Sequence, residues 1–292
     1  MALVFKKISV IGLGLIGTSI LHAINAKEDK DIVTLAYDIN PDHRDVVLKM
    51  NIASFVFSKI EDAIKDADLI ILSIPVGSMS DVAKLIAPFL KKYAVITDTG
   101  STKQSVIKDV TPHLPNNVYF IPSHPLAGTE YSGPKSGFGT LFENRYWLII
   151  SDKETKQTKQ LRSFFIKLGS LVETINMSYH DRILAITSHL PHLIAYTIVG
   201  TASDLETDLK NDVIKFSASG FRDFTRIASS DPIMWRDIFI HNSDAVLEML
   251  QRFNEDLSDL QKAIRKKDGE KLHSFFSRTR LIRKKIIDAG QS

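Results

Sequence analysis

The chain has 292 residues, long for one compact domain and natural for two. Its 44% hydrophobic and 24% charged residues rule out a disordered, collagen-like or disulfide-stapled chain, and a formal net charge of +3 is too small to argue for a nucleic-acid partner. With no cysteine, disulfides, thiolate nucleophiles and cysteine-bound metals are excluded. In chain order, Met1–Lys7 carries basic residues but no apolar signal core followed by a small-residue cleavage site, so an intracellular, cytoplasmic protein is expected. Runs at Lys7–Ile11, Val33–Tyr37, Leu69–Ile74, Ala94–Asp98 and Val118–Ile121 are β-rich without polar alternation, as in strands buried on both faces of a parallel sheet. Between them lie helical periods such as Met79, Val82, Ala83, Ile86 and Leu90, and Asn40-Pro41 supplies an N-cap followed by a proline at the first helical position. Strand alternating with helix predicts a Rossmann-type doubly wound α/β sheet.

Trp147–Ile150 and Leu171–Ile175 predict two more strands flanking a helix over Thr155–Lys167. From Tyr179 on, the period is helical: Ile183, Ile186, Leu190, Leu193 and Ile194 share one face, and Trp235, Ile238 and Phe239, then Val246 to Leu260, continue it. A boundary near Ser178 divides an α/β domain, residues 1–178, from an all-α domain, residues 179–292. The uncharged stretch Ile183–Ser203 has the length of a membrane span, but Ser188-His189-Leu190-Pro191-His192 at its centre predicts a helix buried in protein, with no membrane partner. The basic run Arg278–Lys285 reads as the solvated face of a last helix with Leu281, Ile282, Ile286 and Ile287 turned inward.

Two local patterns carry chemistry. Gly12-Leu13-Gly14-Leu15-Ile16-Gly17 follows a strand and opens a helix, so Gly12 allows the tight turn, Gly14 lets a pyrophosphate approach and Gly17 lets helix and strand pack closely. The helix start then offers free N–H groups to phosphates. Asp38, 21 residues after Gly17, stands where a carboxylate accepts the ribose 2′-hydroxyl, which favours NAD, while nearby Arg44 leaves room for NADP. Ser73 and Pro75, after the strand that begins at Leu69, complete the expected cofactor contacts. The second pattern, Ser123-His124-Pro125-Leu126-Ala127-Gly128-Thr129-Glu130, places a histidine in a loop beyond the carboxyl end of a strand, where it can exchange a proton near neutral pH. Upstream, Ser101 in Asp98-Thr99-Gly100-Ser101 serves either a substrate or the backbone at the following helix start. His189 and His192 have a metal-like spacing, but no third ligand is nominated, so no metal is expected.

These pieces, with Gly220-Phe221-Arg222-Asp223-Phe224-Thr225-Arg226-Ile227-Ala228 and Ser230-Asp231-Pro232-Ile233-Met234-Trp235, stand in the order found in the prephenate/arogenate (cyclohexadienyl) dehydrogenases, which the sequence resembles from Lys7 to about Trp235. The resemblance implies NAD(P)-dependent oxidative decarboxylation of prephenate to 4-hydroxyphenylpyruvate, of arogenate to tyrosine, or of both. It implies catalytic roles for His124, which takes the ring hydroxyl proton, and Ser101, which hydrogen-bonds the same hydroxyl and His124. It implies substrate contacts at Arg226, for a carboxylate, and at His192, Trp235, Gly220 and Thr129, with Glu130 near the entrance. By residue type and spacing alone, Arg226 reads as a surface ion pair with Asp223. The family also implies a homodimer through the helical domain, in keeping with a helix over Ile183–Val199 that is apolar on more than one face. No chorismate-mutase segment is expected before the glycine motif and no regulatory module after the last helix. Two other readings stay open: another two-domain NAD-dependent dehydrogenase of the hydroxyacid type, and a dinucleotide-sensing protein without turnover, which would keep Gly12, Gly14 and Asp38 but need neither His124 nor Arg226.

Overall fold

In the computed structural model, residues 5–27, 31–205, 212–213 and 215–288 are described, so Met1 to Val4 of the amino-terminal stretch lie outside the described residues. The chain packs as two units, Met1–Ser243 and Asp244–Ser292. In the first, β1 (Lys7–Ile11) lies between β2 (Val33–Tyr37) and β4 (Leu69–Leu72), and β3 (Phe55–Val56), β5 (Val95–Asp98) and β6 (Tyr119–Phe120) extend the sheet to the order β3-β2-β1-β4-β5-β6. Every pairing is parallel. This is the strand order of the doubly wound dinucleotide fold, whose crevice opens at the carboxyl ends of β1 and β4, where the order reverses.

The uniform apolarity of the strands follows from burial on two sides. Alternate residues of one strand point to opposite faces. Leu69 and Ile71 of β4 therefore join Ile8, Val10, Ile20 and Leu21 in one core, which includes α1 (Leu15–Asn25). Ile70 and Leu72 join Ile11, Ile64, Met79, Ala83 and Val106 in the other, under α3 (Ile60–Ile64), α4 (Met79–Ile86) and α5 (Gln104–Val110). On α2 (Pro41–Met50), Asn40 caps the N-terminus by accepting from Asp42 N–H, with Pro41 at the first position as the sequence indicates. Three strands are shorter than expected: β5 begins at Val95, β4 ends at Leu72 and β6 keeps only Tyr119 and Phe120, although the Ser73 and Ile121 N–H groups still reach the Ile11 and Ile96 carbonyls.

A second sheet corrects the placement of the histidine motif. Ser123–Pro125 is a strand, β7, antiparallel to β8 (Tyr146–Ile150), and β8 runs parallel to β9 (Leu171–Ile175) through the crossover helix α6 (Lys156–Lys167). His124 therefore lies on a strand opposite Leu148, held by a ladder on one side, and not on a loop. Three residues ending in proline carry no periodic signal, which is why the strand is hidden in the sequence.

After Ile175 every described element is helical. Asn176 caps α7 (Met177–Leu184), which continues through a π-helical turn at Ala185–His189 into α8 (Leu190–Ser203). Pro191 lacks the N–H that an α-helix would direct to Thr187, and the wider turn just before it absorbs that break. The run Met177–Ser203 has the length and apolarity of a membrane span, yet His180, Asp181 and His189 are sealed inside the protein along it. Only 28% of its most apolar stretch is buried by this chain, so much of the apolar face needs another cover. Next come α9 (Ser219–Thr225) and α10 (Pro232–His241). The second unit holds a long helical pair, α11 (Ser243–Arg265) and α12 (Gly269–Asp288). On α12, Leu281, Ile282, Ile286 and Ile287 are exposed among the described residues and not turned inward as expected.

The glycine turn gives a direct test of the packing. A Cβ at Gly17 would collide with the Gly12 carbonyl, whereas a Cβ at Gly14 meets nothing within 4 Å. Gly17→Ala should therefore lose about 1–3 kcal/mol in a urea melt, and Gly14→Ala should melt like the native protein. Equal melts for the two variants would refute the packing role of Gly17.

Candidate active site

The β1–α1 turn is built for a diphosphate. Gly12 has φ +95°, a left-handed conformation in which a side chain would be strained, and a Cβ there would run into the Ser73 carbonyl. Leu15 and Ile16 begin α1, which starts at Gly14 without a side-chain cap, so its first N–H groups face open space. Asp38 ends β2. Its Oδ2 accepts Leu13 N–H at 2.6 Å and its Oδ1 accepts Asn40 N–H at 2.8 Å, so the carboxylate is fixed against the turn with lone pairs to spare. Arg44 donates to the Asp38 carbonyl at 2.7 Å. Across the crevice, the Ser73 hydroxyl accepts from Thr99, and Pro75 caps a short 3₁₀ turn over Val76–Ser78. The residues present thus fit a dinucleotide.

A buried cluster of titratable side chains lies where β7 meets the helices. His124 is 8% exposed, and its Nδ1 stands 2.9 Å from His180 Nε2. His180 Nδ1 in turn lies 2.7 Å from Asp181 Oδ1. The Asp181 carboxylate also accepts the N–H groups of Lys103, at 2.8 Å, and Gln104, at 2.9 Å, and so caps α5 from another element. Lys103 is fully buried and bridges Asp98 and the Ser123 carbonyl, which secures the strand carrying His124. Burial pushes the His124 pKa well below the ordinary imidazole value, and the neighbouring His180, Lys103 and His189 add to the effect. The ring is therefore neutral at pH 7, the form a base requires. For Asp181, burial alone would raise the pKa, but the His180 and backbone hydrogen bonds win and lower it.

Sequence reasoning missed His180, Asp181 and Lys103. The available signal was an adjacent histidine and aspartate at the start of an otherwise apolar helix.

A second polar group gathers on α8 and α10. The His192 ring stacks on Trp235, centroids 3.7 Å apart and 22° from parallel, and its Nδ1 donates to the Ser188 carbonyl at 2.8 Å. Asn242 donates to His189 Nδ1 at 3.1 Å, which leaves His189 Nε2 as a donor. His189 Nε2 and Trp235 Nε1 are both buried without a hydrogen-bond partner, and the two rings lie edge to face 6.1 Å apart. Two buried donors without acceptors mark a place for an acceptor-bearing ligand or water.

Arg226 follows α9 and does not pair with Asp223. Its Nη1 bonds Glu130 at 2.7 Å, on the chain leaving β7. The guanidinium charge also depresses the His192 pKa, after burial as the main cause. Arg226 thus meets the chain six residues beyond His124 through Glu130, and its charge is felt at His192, which stacks on Trp235. Ser101 is not drawn into these contacts: it makes no hydrogen bond to His124, and it is not the helix cap either, since Lys103 holds that position with its N–H taken by Asp181. Thr129 is exposed and accepts Tyr131 N–H, and Gly220 is exposed on α9 with open space beside it. Among the described residues no group of three or more histidines, aspartates and glutamates is placed to hold a metal.

The family model described as prephenate dehydrogenase, nucleotide-binding domain, matches residues 22–174, and that described as prephenate dehydrogenase, dimerization domain, matches residues 176–278. The chain belongs to the prephenate dehydrogenase family. The glycine turn lies just ahead of the first matched span. A cyclohexadienyl dehydrogenase from Zymomonas mobilis is 40% identical over 96% of both chains, and a prephenate dehydrogenase from Lactococcus lactis is 33% identical over 95% of this chain and 77% of its own. Among solved structures, prephenate dehydrogenase from A. aeolicus in complex with hydroxyphenyl propionate and NAD+ superposes with a TM-score of 0.89 at 30% identity, covering 98% of this chain and all of that one.

In this family member the buried histidines make stability pH-dependent. Burial, aided by His180 and His192 and opposed by Asp181, lowers the His189 pKa from 6.5 to about 4, and His124 and His180 move in the same direction. The unfolded chain then binds protons between pH 6.5 and 4 that the folded one refuses, so stability is full above pH 6.5 and drains as pH falls. For His189 alone the loss is roughly 3 kcal/mol. Thermal melts from pH 7 to 4 should show this slope, and His189→Gln should flatten it; a slope unchanged in the variant would rule out His189 as a contributor.

Proposed function

We propose that this protein oxidatively decarboxylates prephenate to 4-hydroxyphenylpyruvate, arogenate to tyrosine, or both, in tyrosine biosynthesis in the cytoplasm. The observation that carries the reading is His124: buried, neutral and fixed on a strand, with Glu130, six residues further along the chain, bonded to a guanidinium suited to a carboxylate. Membership of the family and likeness to an enzyme solved with hydroxyphenyl propionate and NAD+ support it. A non-catalytic dinucleotide sensor would have no use for that cluster, and Lys103, the buried lysine in it, is engaged with Asp98 and the Ser123 carbonyl.

Gly12, Leu13, Gly14, Leu15, Ile16 and Gly17 would hold the diphosphate of NAD, Asp38 its adenosine ribose, and Ser73 and Pro75 the far side of the crevice. Asp38 repels a 2′-phosphate and so favours NAD over NADP. When bound, NAD supplies a hydride acceptor. His124 takes the proton of the ring C4 hydroxyl as that carbon gives up hydride. Carbon dioxide leaves C1, its electron pair aromatises the ring, and the C4 oxygen recovers the proton. Aromatisation drives the step, so the residues have only to align and to hold a proton. In the family's pattern Ser101 would meet the same hydroxyl when substrate binds. Arg226 receives a substrate carboxylate through the part of its fork that Glu130 leaves open. The unpartnered donors of His189 and Trp235 would take an acceptor group of the substrate, and the family resemblance adds His192, Thr129 and Gly220 as further substrate contacts.

Residues 1–178 carry the cofactor in this reading, and residues 179–292 supply substrate contacts and a homodimer interface. The latter region matches a dimerization domain, and Leu247, Leu257, Phe276 and Leu281 leave apolar surface uncovered.

NADH formation at 340 nm with prephenate and arogenate side by side, against a hydroxyacid panel, tests the activity; turnover of neither cyclohexadienyl substrate would end this reading. His124→Asn should lose roughly 10²–10⁴-fold in kcat while still binding substrate. Arg226→Ala should mainly raise KM; a native KM would remove Arg226 from the substrate site.

A further inference from the structure

A general base needs a defined tautomer: the nitrogen facing substrate must carry the lone pair. Nothing in the His124 ring itself fixes this. The surroundings do, by a chain of hydrogen-bond logic that starts at Asp181. An ionised carboxylate only accepts. The His180 nitrogen 2.7 Å from it, Nδ1, must then carry a hydrogen. A neutral His180 has its lone pair on Nε2, and Nε2 is the atom 2.9 Å from His124. His124 Nδ1 must therefore donate, and the lone pair of that ring is left on Nε2, which meets no protein partner among the described residues.

The anchor of this chain is itself fixed. Asp181 is buried and receives the N–H groups of Lys103 and Gln104, and its backbone carbonyl accepts from Asn242 at 3.0 Å. His180 has no exposure at all. The charged and titratable groups around the pair are Lys103 and Asp98 from the end of β5 and His189 from the π turn. Burial and Lys103 keep His180 from charging, against the pull of Asp181 and Asp98.

We propose that His180, oriented by Asp181, is a positioning residue for catalysis: it holds His124 as the Nδ1–H tautomer, with Nε2 as the base nitrogen, and accepts a hydrogen bond from the imidazolium that forms when the substrate proton arrives. The pair touches neither substrate nor cofactor. The proposal rests on the reading of His124 as the base and adds what makes that base competent.

The test uses the full-length protein with NAD and two substitutions at one position. His180→Phe keeps the ring shape but cannot accept a hydrogen bond. His180→Gln offers a carbonyl oxygen to His124 and an N–H to Asp181. His180→Phe should lose roughly 10²-fold in kcat, with KM for the cyclohexadienyl substrate and for NAD within about threefold of native, and His180→Gln should recover at least about a tenth of native kcat. Long-range ¹H–¹⁵N correlation of the histidine rings in native protein should show His124 protonated at Nδ1. An Nε2–H ring in native protein, a His180→Phe kcat within threefold of native, or a His180→Gln variant as slow as His180→Phe would each overturn the proposal. If His180→Phe fails to fold, the tautomer measurement decides alone. The two readings separate cleanly: an active His124→Asn defeats the assignment of the base, whereas an inactive His124→Asn beside a normal His180→Phe defeats only the role of His180.

Discussion

The carboxylate of Asp181 is the joint on which the site depends. It is taken out of water, and a buried anion is tolerated only when its lone pairs are filled. They are filled from two directions: by the backbone at the start of α5, which follows the sheet, and by His180 on the helix that opens the helical region. The same few atoms therefore close a helix end, dock the helices on the α/β part and orient the imidazole that lies against β7. Beneath them, Lys103 and Asp98 form a fully buried ion pair that also secures the Ser123 carbonyl. Deleting one partner of such a pair strands a charge, typically at a cost of about 3–5 kcal/mol. Structure and chemistry cannot be separated at this joint.

The division of labour follows from what each kind of element can offer. The parallel sheet ends in backbone: tight turns, uncapped helix starts and a single carboxylate, all suited to a cofactor common to many enzymes. The helices offer side chains in quantity, and it is they that bring His180, His189, His192, Trp235 and, just past α9, Arg226 to one region. The pair of buried N–H donors on His189 and Trp235 is the least settled part of that region, a stored demand for an acceptor that packing alone does not meet.

What was legible in the sequence was local. Gly12, Gly14 and Gly17 announce a turn because the reasons for them lie within a few residues, and the structure gives each the surroundings its position implies. The strands β1, β2 and β9 coincide with their apolar runs for the same reason. What stayed hidden was contact at a distance. His180 meets His124 across 56 residues and Glu130 meets Arg226 across 96, and no period or motif encodes such pairs. The nearest acid to Arg226, Asp223, is a natural guess from helical spacing, yet the guanidinium turns to Glu130. The apolar stripe of α12 was legible as a stripe, but spacing cannot say what covers it, and among the described residues its members stay exposed.

The π turn at Ala185–His189 sets the phase of everything after it. A helix advances about 100° per residue, so one residue more or less before Leu190 swings the remainder of the rod by that angle. Excising a single residue there would leave an ordinary α-helix through His180 and Asp181, but it would carry the His192 ring off Trp235 and the Tyr196 hydroxyl off the Ser230 carbonyl. The bulge thus acts as a rotational offset between two clusters threaded on one axis. A lineage that lost it would gain a more regular rod and find its His180–Asp181 end and its His192 end aimed in different directions.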